Sequence, residues 1–171
     1  MLGAIGDWPR LTAQAYNAIK PGGYFEILEP AAHIISDDGS LPADSSLAIW
    51  NNLFVTAASK FGRSVVEAPL YKDYLRDAGF INIHEEVFKL PNSPWPKNKL
   101  LKEAGGYQMV NFLEALEGLS LRMFQAAYNM SVDEIHVLLA KVRSDIKNKS
   151  IHTYYNLHRY VAQKPHSINL E

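Results

Sequence analysis

The chain has 171 residues, 47 % of them hydrophobic and 20 % charged, with 17 Lys and Arg against 18 Asp and Glu for a net charge of −1. That composition excludes a disordered chain and lacks the basic excess of a general nucleic-acid binder. With no cysteine, thiol catalysis, iron–sulfur clusters and thiolate zinc sites are excluded as well.

The spacing predicts a first helix from about Trp8 to Lys20, capped by Asp7, with Pro9 tolerated in its first turn. Leu11, Ala15, Ala18 and Ile19 mark its apolar face. Lys20-Pro21-Gly22-Gly23 turns the chain into a strand, Tyr24 to Glu29, which Pro30 is expected to end. Ser36-Asp37-Asp38-Gly39 reads as a turn. A second helix follows from Ser46 to Phe61 with Trp50 and Phe54 on its apolar stripe, and Gly62 stops it. Pro69 opens a short helix to Ala78, and Phe80 to Leu90 is strand-like.

Three prolines in Pro91-Asn92-Ser93-Pro94-Trp95-Pro96 exclude regular structure there. A long helix spans Lys99 to Tyr128, with Leu101, Phe112, Leu116 and Met123 on its main buried side and Tyr107, Leu113 and Phe124 widening it. Ser131-Val132-Asp133-Glu134 is a capping box for a fifth helix, and Ile151 to Gln163 is the last strand. The order α-β-α-α-β-α-α-β predicts an α/β fold with an α+β tendency, a single domain over residues 1–171 with a three-stranded sheet and about five helices. No apolar run reaches the ~20 residues of a membrane span and no signal sequence opens the chain. A cytoplasmic protein with neither membrane nor nucleic acid as partner is therefore expected.

Leu2-Gly3-Ala4-Ile5-Gly6-Asp7-Trp8-Pro9, followed by Ala18-Ile19-Lys20-Pro21-Gly22-Gly23-Tyr24-Phe25-Glu26, resembles a class I methyltransferase from the end of its fourth strand into its fifth. Ser36-Asp37-Asp38-Gly39, Pro94-Trp95-Pro96-Lys97, Leu113-Glu114-Ala115-Leu116-Glu117-Gly118 and Ile151-His152-Thr153-Tyr154-Tyr155 resemble the fungal LaeA-like branch of that family. The resemblance covers essentially the whole chain and implies the C-terminal part of a Rossmann-like methyltransferase fold. In that family S-adenosylmethionine sits on a Gly-rich turn and a ribose-holding acidic residue of the first half. This chain has no G-x-G-x-x-G, only Gly3 and Gly6 spaced G-x-x-G. No cofactor is therefore expected, and methylation by this chain alone is not. Its opening on Met1 favours a self-standing truncated protein over a fragment of a longer enzyme.

The residues offer several candidates, each with a plain structural alternative. His152, Tyr154, Asn156, His158 and Tyr160 share one strand face, either a solvent face or a polar pocket wall. In the resembled family, the region of Trp50, Asn51 and Phe54 and the long helix help enclose substrate; the alternative is a plain core role. Tyr107, Asn111 and Glu114 form a polar stripe, either solvent-facing or pocket-lining. Glu29 ends the first strand and His33 follows in the loop, where open α/β sheets place ligands; Glu29 is otherwise a simple turn carboxylate. None of the six histidines has zinc-site spacing, and the absence of G-x-S-x-G argues against hydrolase chemistry.

The resulting expectation is a cofactor-independent cyclase of fungal secondary metabolism, carrying out a cycloaddition of the Diels–Alder type on an apolar, partly oxygenated small molecule. Tyr107, His158 and Asn111 are the expected catalytic residues. Trp50, Phe54, Glu29, His33, Tyr154 and Asn156 are the expected substrate contacts, with no metal. The alternatives are an inactive or partial LaeA-like methyltransferase and a non-catalytic regulatory module. A homodimer is also expected, through the unpaired Tyr24–Glu29 edge and an apolar patch of Leu2, Ile5, Trp8 and Leu11.

Overall fold

The structure is a computed structural model that describes residues 3–166. Leu2, one of the expected patch residues, lies outside the described residues. Five α-helices and three strands follow one another in the expected order. They are α1 (Trp8–Ala18), β1 (Tyr24–Ile35), α2 (Ser46–Lys60), α3 (Tyr71–Asp77), β2 (Ile81–Pro91), α4 (Lys99–Tyr128), α5 (Val132–Lys147) and β3 (Tyr154–Gln163), with one 3₁₀ turn at Ala68–Leu70. The strands form an antiparallel sheet in the order β1-β3-β2. The described residues fall into two compact units, within Met1–Ala31, Arg63–Phe88 and Leu157–Glu171 for the first and Ala32–Gly62 and Lys89–Asn156 for the second.

The first unit has a core of Trp8, Ile27, Tyr71, Leu75, Phe80 and Tyr160. Ile5 and Leu11 are partly buried against it. Trp8, Ile5 and Leu11 thus pack inward and do not make the exposed patch expected of them. The reason is aromatic: Trp8 stacks on Tyr71 with ring centroids 4.1 Å apart. The ammonium of Lys164 donates to the carbonyls of Tyr16 and Ile19 at 2.7 and 2.8 Å, satisfying acceptors at the end of α1. Gly22 in the turn before β1 has φ +77°, a left-handed conformation that favours glycine.

β1 does not stop at Pro30 but continues to Ile35. The Gly23 carbonyl accepts from Lys164 N at 2.8 Å. In the alternation set by that bond, the nitrogen of Pro30 points away from β3, so the missing N–H costs no ladder bond on this edge strand. β3 starts at Tyr154 rather than Ile151, because Ile151 N still bonds Asn148 O in the turn after α5.

The second unit is a helical cluster. α2, α4 and α5 pack on one another and bury Trp50, Phe54, Leu116, Phe124, Ile135 and Leu139. Trp50 Nε1 donates to Ser120 Oγ at 2.8 Å, so the indole is buried without an orphaned donor. Asp145 on α5 accepts from Leu47 N at 2.9 Å and satisfies a free amide in the first turn of α2. The stripes on α4 fall differently from the pattern: Leu101 and Tyr107 are exposed, and the buried line runs through Gly105, Phe112, Leu116, Ser120 and Phe124. Gly105 is required there, because a Cβ would strike the Ser93 carbonyl of the proline-rich loop.

Candidate functional site

Three separated segments of the second unit converge on one small hollow of about 200 Å³, walled by Asp37, Asp38, Trp95, His152 and Tyr154. The turn 36–40 is held by its own side chains: Ser36 Oγ and Ser40 N both donate to Asp38 Oδ1, at 2.9 and 3.0 Å. Ser40 Oγ in turn accepts from His152 N at 2.7 Å and ties the turn to the segment entering β3. Trp95 is fixed by its indole N–H, which donates to Thr153 O at 3.0 Å. Thr153 O also accepts from Asn92 N at 2.9 Å. The rings of Trp95 and His152 then lie 4.9 Å apart and tilted by 30°.

Two carboxylates organise the wall. His152 Nδ1 lies 2.6 Å from Asp38 Oδ2. A carboxylate only accepts, so Nδ1 carries a proton toward Asp38, and Nε2 is the ring nitrogen left outside that bond. The hydrogen bond from His152, followed by those from Ser40 and Ser36, holds the Asp38 carboxyl far below the usual carboxylate range. Asp37 accepts from Lys89 Nζ and from the Tyr154 hydroxyl at 2.5 and 2.7 Å. Lys89 and then Tyr154 lower the Asp37 carboxyl in turn, and Asp37 raises Lys89. Burial, then the bond to Asp37, raises the Tyr154 phenol. The Lys89 ammonium also sits 4.6 Å above the Tyr154 ring.

The residues expected to carry the chemistry are scattered by comparison. Tyr154 lines this hollow, and Asn156 is half-buried two residues further along β3. Trp50 and Phe54 are stacked core side chains, 1 % and 3 % exposed, and line no described hollow. Tyr107 is 72 % exposed, and Asn111 and Glu114 are exposed with it, so that stripe of α4 faces solvent. His33 is exposed within β1 rather than in a loop. Glu29 is buried in mid-strand, because the strand runs on through Pro30. Burial first, then the Glu29 charge, pushes the Tyr71 phenol upward.

His158 lies in the first unit. It is buried, and so is Tyr160 on the same strand face, so this stretch is not a solvent face. His158 Nδ1 lies 3.2 Å from Glu85 Oε1. The Tyr160 hydroxyl donates between that same oxygen, at 2.7 Å, and the Ala68 carbonyl, at 3.0 Å. No described metal-ligand group of three or more His, Asp or Glu exists among the described residues.

The residues overlooked in the sequence as site candidates are Asp37, Asp38 and Trp95, and His152 entered only as one member of the polar face of the last strand. The available signal was that Ser36–Gly39, Pro94–Lys97 and Ile151–Tyr155 all carried the same family resemblance, and these are the segments that meet here.

No family model matches the chain. The methyltransferase pytC of Aspergillus terreus is 37 % identical over 166 residues, covering 97 % of this chain and 51 % of that protein. The chain is homologous to the fungal LaeA-like methyltransferases. To laeA of Emericella nidulans, named as a protein-methionine methyltransferase and as a secondary metabolism regulator, it is 32 % identical, over 95 % of this chain and 44 % of laeA. The chain thus spans about half the length of these relatives. A solved phosphoethanolamine N-methyltransferase of Haemonchus contortus superposes with a TM-score of 0.43 and 18 % identity, covering 96 % of this chain and 32 % of that one.

Methyl transfer in this family draws on S-adenosylmethionine. The G-x-x-G segment at the start of the first unit does not fit that cofactor. Gly3 has Val65 Cγ1 3.3 Å from the position of a Cβ, and a Cβ on Gly6 would strike the Arg63 guanidinium. These glycines make room for the chain's own side chains. No helix among the described residues is long and apolar enough to cross a membrane.

Proposed function

We propose that this chain is a methyltransferase-like protein of fungal secondary metabolism that binds a small oxygenated organic molecule against Trp95 and Tyr154 and moves a proton on it through His152. One observation carries the reading: an imidazole oriented by an ionised carboxylate lies on the wall of a hollow, beside an indole face. A hydroxyl proton of the substrate passes to His152 Nε2, and Asp38 stabilises the imidazolium that forms. Protonated, the same Nε2–H donates to a substrate carbonyl and polarises it.

The oxyanion so formed is a nucleophile to which a methyl group can be transferred. A second reading is cofactor-independent ring closure of the Diels–Alder type, which needs an apolar wall and a hydrogen-bond donor such as Trp95 and His152 supply. Holding a flexible substrate in one reactive conformation and polarising its carbonyl lowers such a barrier without a donated group. We further propose a homodimer through the edge of β1, whose Tyr24 and Leu28 are 65 % and 51 % exposed; light scattering that finds only the monomer mass overturns it.

2-Naphthol, a fused phenol, is the probe for the site. Saturation-transfer NMR is expected to show binding to the full chain, lost in Trp95→Ala and retained in Tyr107→Ala. Binding indifferent to Trp95 sinks the reading. With a reactive, hydroxylated polyene substrate, liquid chromatography coupled to mass spectrometry separates the two chemistries: ring closure gives a product of unchanged mass at a new retention time, and methylation adds CH2 and requires added methyl donor.

A further inference from the structure

The second unit holds another hollow, of about 440 Å³, lined by Phe61, Gly118, Leu119, Arg122, Met123 and Ala126. Its floor follows from helix spacing: Leu119, Met123 and Ala126 stand at i, i+4 and i+7 of α4 and form one apolar strip. A Cβ added at Gly118 would meet nothing within 4 Å, so the space above it is open. Phe61, directly after α2, remains 49 % exposed beside it. The volume lies within the range of small-molecule pockets, about 300–1,000 Å³.

Arg122 is the one charged residue of this lining. Arg122 pairs with no acid among the described residues. Lys60, next to Phe61 in sequence, is not part of the lining: its ammonium donates to Ala127 O at 3.3 Å and sits 4.5 Å above the Tyr128 ring. The acid next to Gly118 in sequence, Glu117, is engaged with Arg143 and His136 at 3.6 and 3.7 Å. Glu114 stands two turns away from Arg122 along α4, roughly 12 Å at the rise of a helix. An apolar floor beside one cation without an acidic partner is complementary to a ligand that is apolar at one end and anionic at the other.

We propose that this hollow binds a small amphipathic anion, its aromatic or aliphatic body on Leu119, Met123, Ala126 and Phe61 and its carboxylate, phenolate or sulfonate on Arg122. The site shares no residue with the hollow at Trp95, and neither reading depends on the other.

The test uses two dyes of the same ring body. 1-Anilinonaphthalene-8-sulfonate carries the anion and N-phenyl-1-naphthylamine lacks it. Fluorescence titration of the full chain is expected to show one sulfonate dye per chain, bound at least about tenfold tighter than the neutral dye, a difference of one decade in Kd. Gly118→Leu fills the hollow and is expected to weaken both dyes at least about tenfold. Its thermal unfolding, followed by circular dichroism, is expected at or above that of the parent, since Leu favours the helix and meets no neighbour. Arg122→Gln is expected to bring the sulfonate dye down to the neutral one and leave the neutral one unchanged. Equal affinity for the two dyes overturns the proposal, as does sulfonate binding untouched by Gly118→Leu. So does sedimentation equilibrium showing a dimer that Phe61→Asp dissolves, because the face is then covered by a second copy.

Discussion

The two units each carry a carboxylate, a histidine and a tyrosine, and use them oppositely. In the first, Glu85, His158 and Tyr160 share one carboxylate oxygen beneath a packed core, with the His158 side chain 8 % and that of Glu85 27 % exposed. In the second, Asp38 and His152 are 50 % and 36 % exposed and line a hollow, with Tyr154 turned to a separate carboxylate, Asp37. Identical residue types therefore say little about role. What differs is the exposure of the histidine, 36 % for the His152 side chain on the wall of a hollow and 8 % for that of His158.

Truncation is the harshest way to break the comparison. Tyr160→Ala removes a fully buried ring and the donor to Glu85 and Ala68, and is expected to cost about 3–5 kcal/mol, in the range of large-to-small core substitutions. His152→Ala, at a half-exposed ring, is expected to cost under about 1 kcal/mol while abolishing proton transfer at the hollow. Urea unfolding of both variants checks this. Similar losses in the two mean that His152 is a structural brace like Tyr160.

A milder test reaches the hollow without touching its lining. α4 lies against the proline-rich loop at Gly105, and an added methyl there collides with Ser93 O. Gly105→Ala is expected to cost about 1–3 kcal/mol, as overpacking does, and to shift the loop that carries Trp95. Loss of 2-naphthol binding at temperatures where the variant is still folded is the expected result. An unchanged affinity means that the loop position does not control the site.

The elements were readable because their signals are local. Asp7 caps α1, its side chain accepting from Arg10 N, and the capping box at Ser131 and Glu134 forms as the pattern requires. Pro30 misled because its effect depends on which side of β1 pairs, and an edge strand has one free side. The site was readable only as separate words. Asp38 and His152 are 114 positions apart, and no helical or strand period relates them. Tyr107 and Asn111 drew notice through a period-based stripe, but a polar stripe on a helix most simply faces water, as it does here.

Acid separates the two clusters most gently. In the first, burial raises the Glu85 carboxyl, but the bonds from Tyr160 and His158 outweigh it, and the net direction is downward. In the second, His152 leads in lowering Asp38. A carboxylate with a depressed folded pKa contributes stability that is present above its unfolded pKa and is lost as pH falls through the folded one. Both clusters therefore weaken toward acid, from about pH 4 downward. They part on salt. The Asp38–His152 pair is half-exposed and within reach of counterions, whereas the Glu85–His158–Tyr160 group is shielded. Comparing urea midpoints of the parent and Asp38→Asn between about pH 5 and pH 2 is expected to show a small gap that narrows with acid and also closes in about 1 M salt. For Glu85→Gln the gap is expected to narrow with acid in the same way but to persist in salt. If salt erases both gaps equally, the Glu85 cluster is as accessible to solvent as the hollow, and the opposition between the two units fails at its electrostatic root.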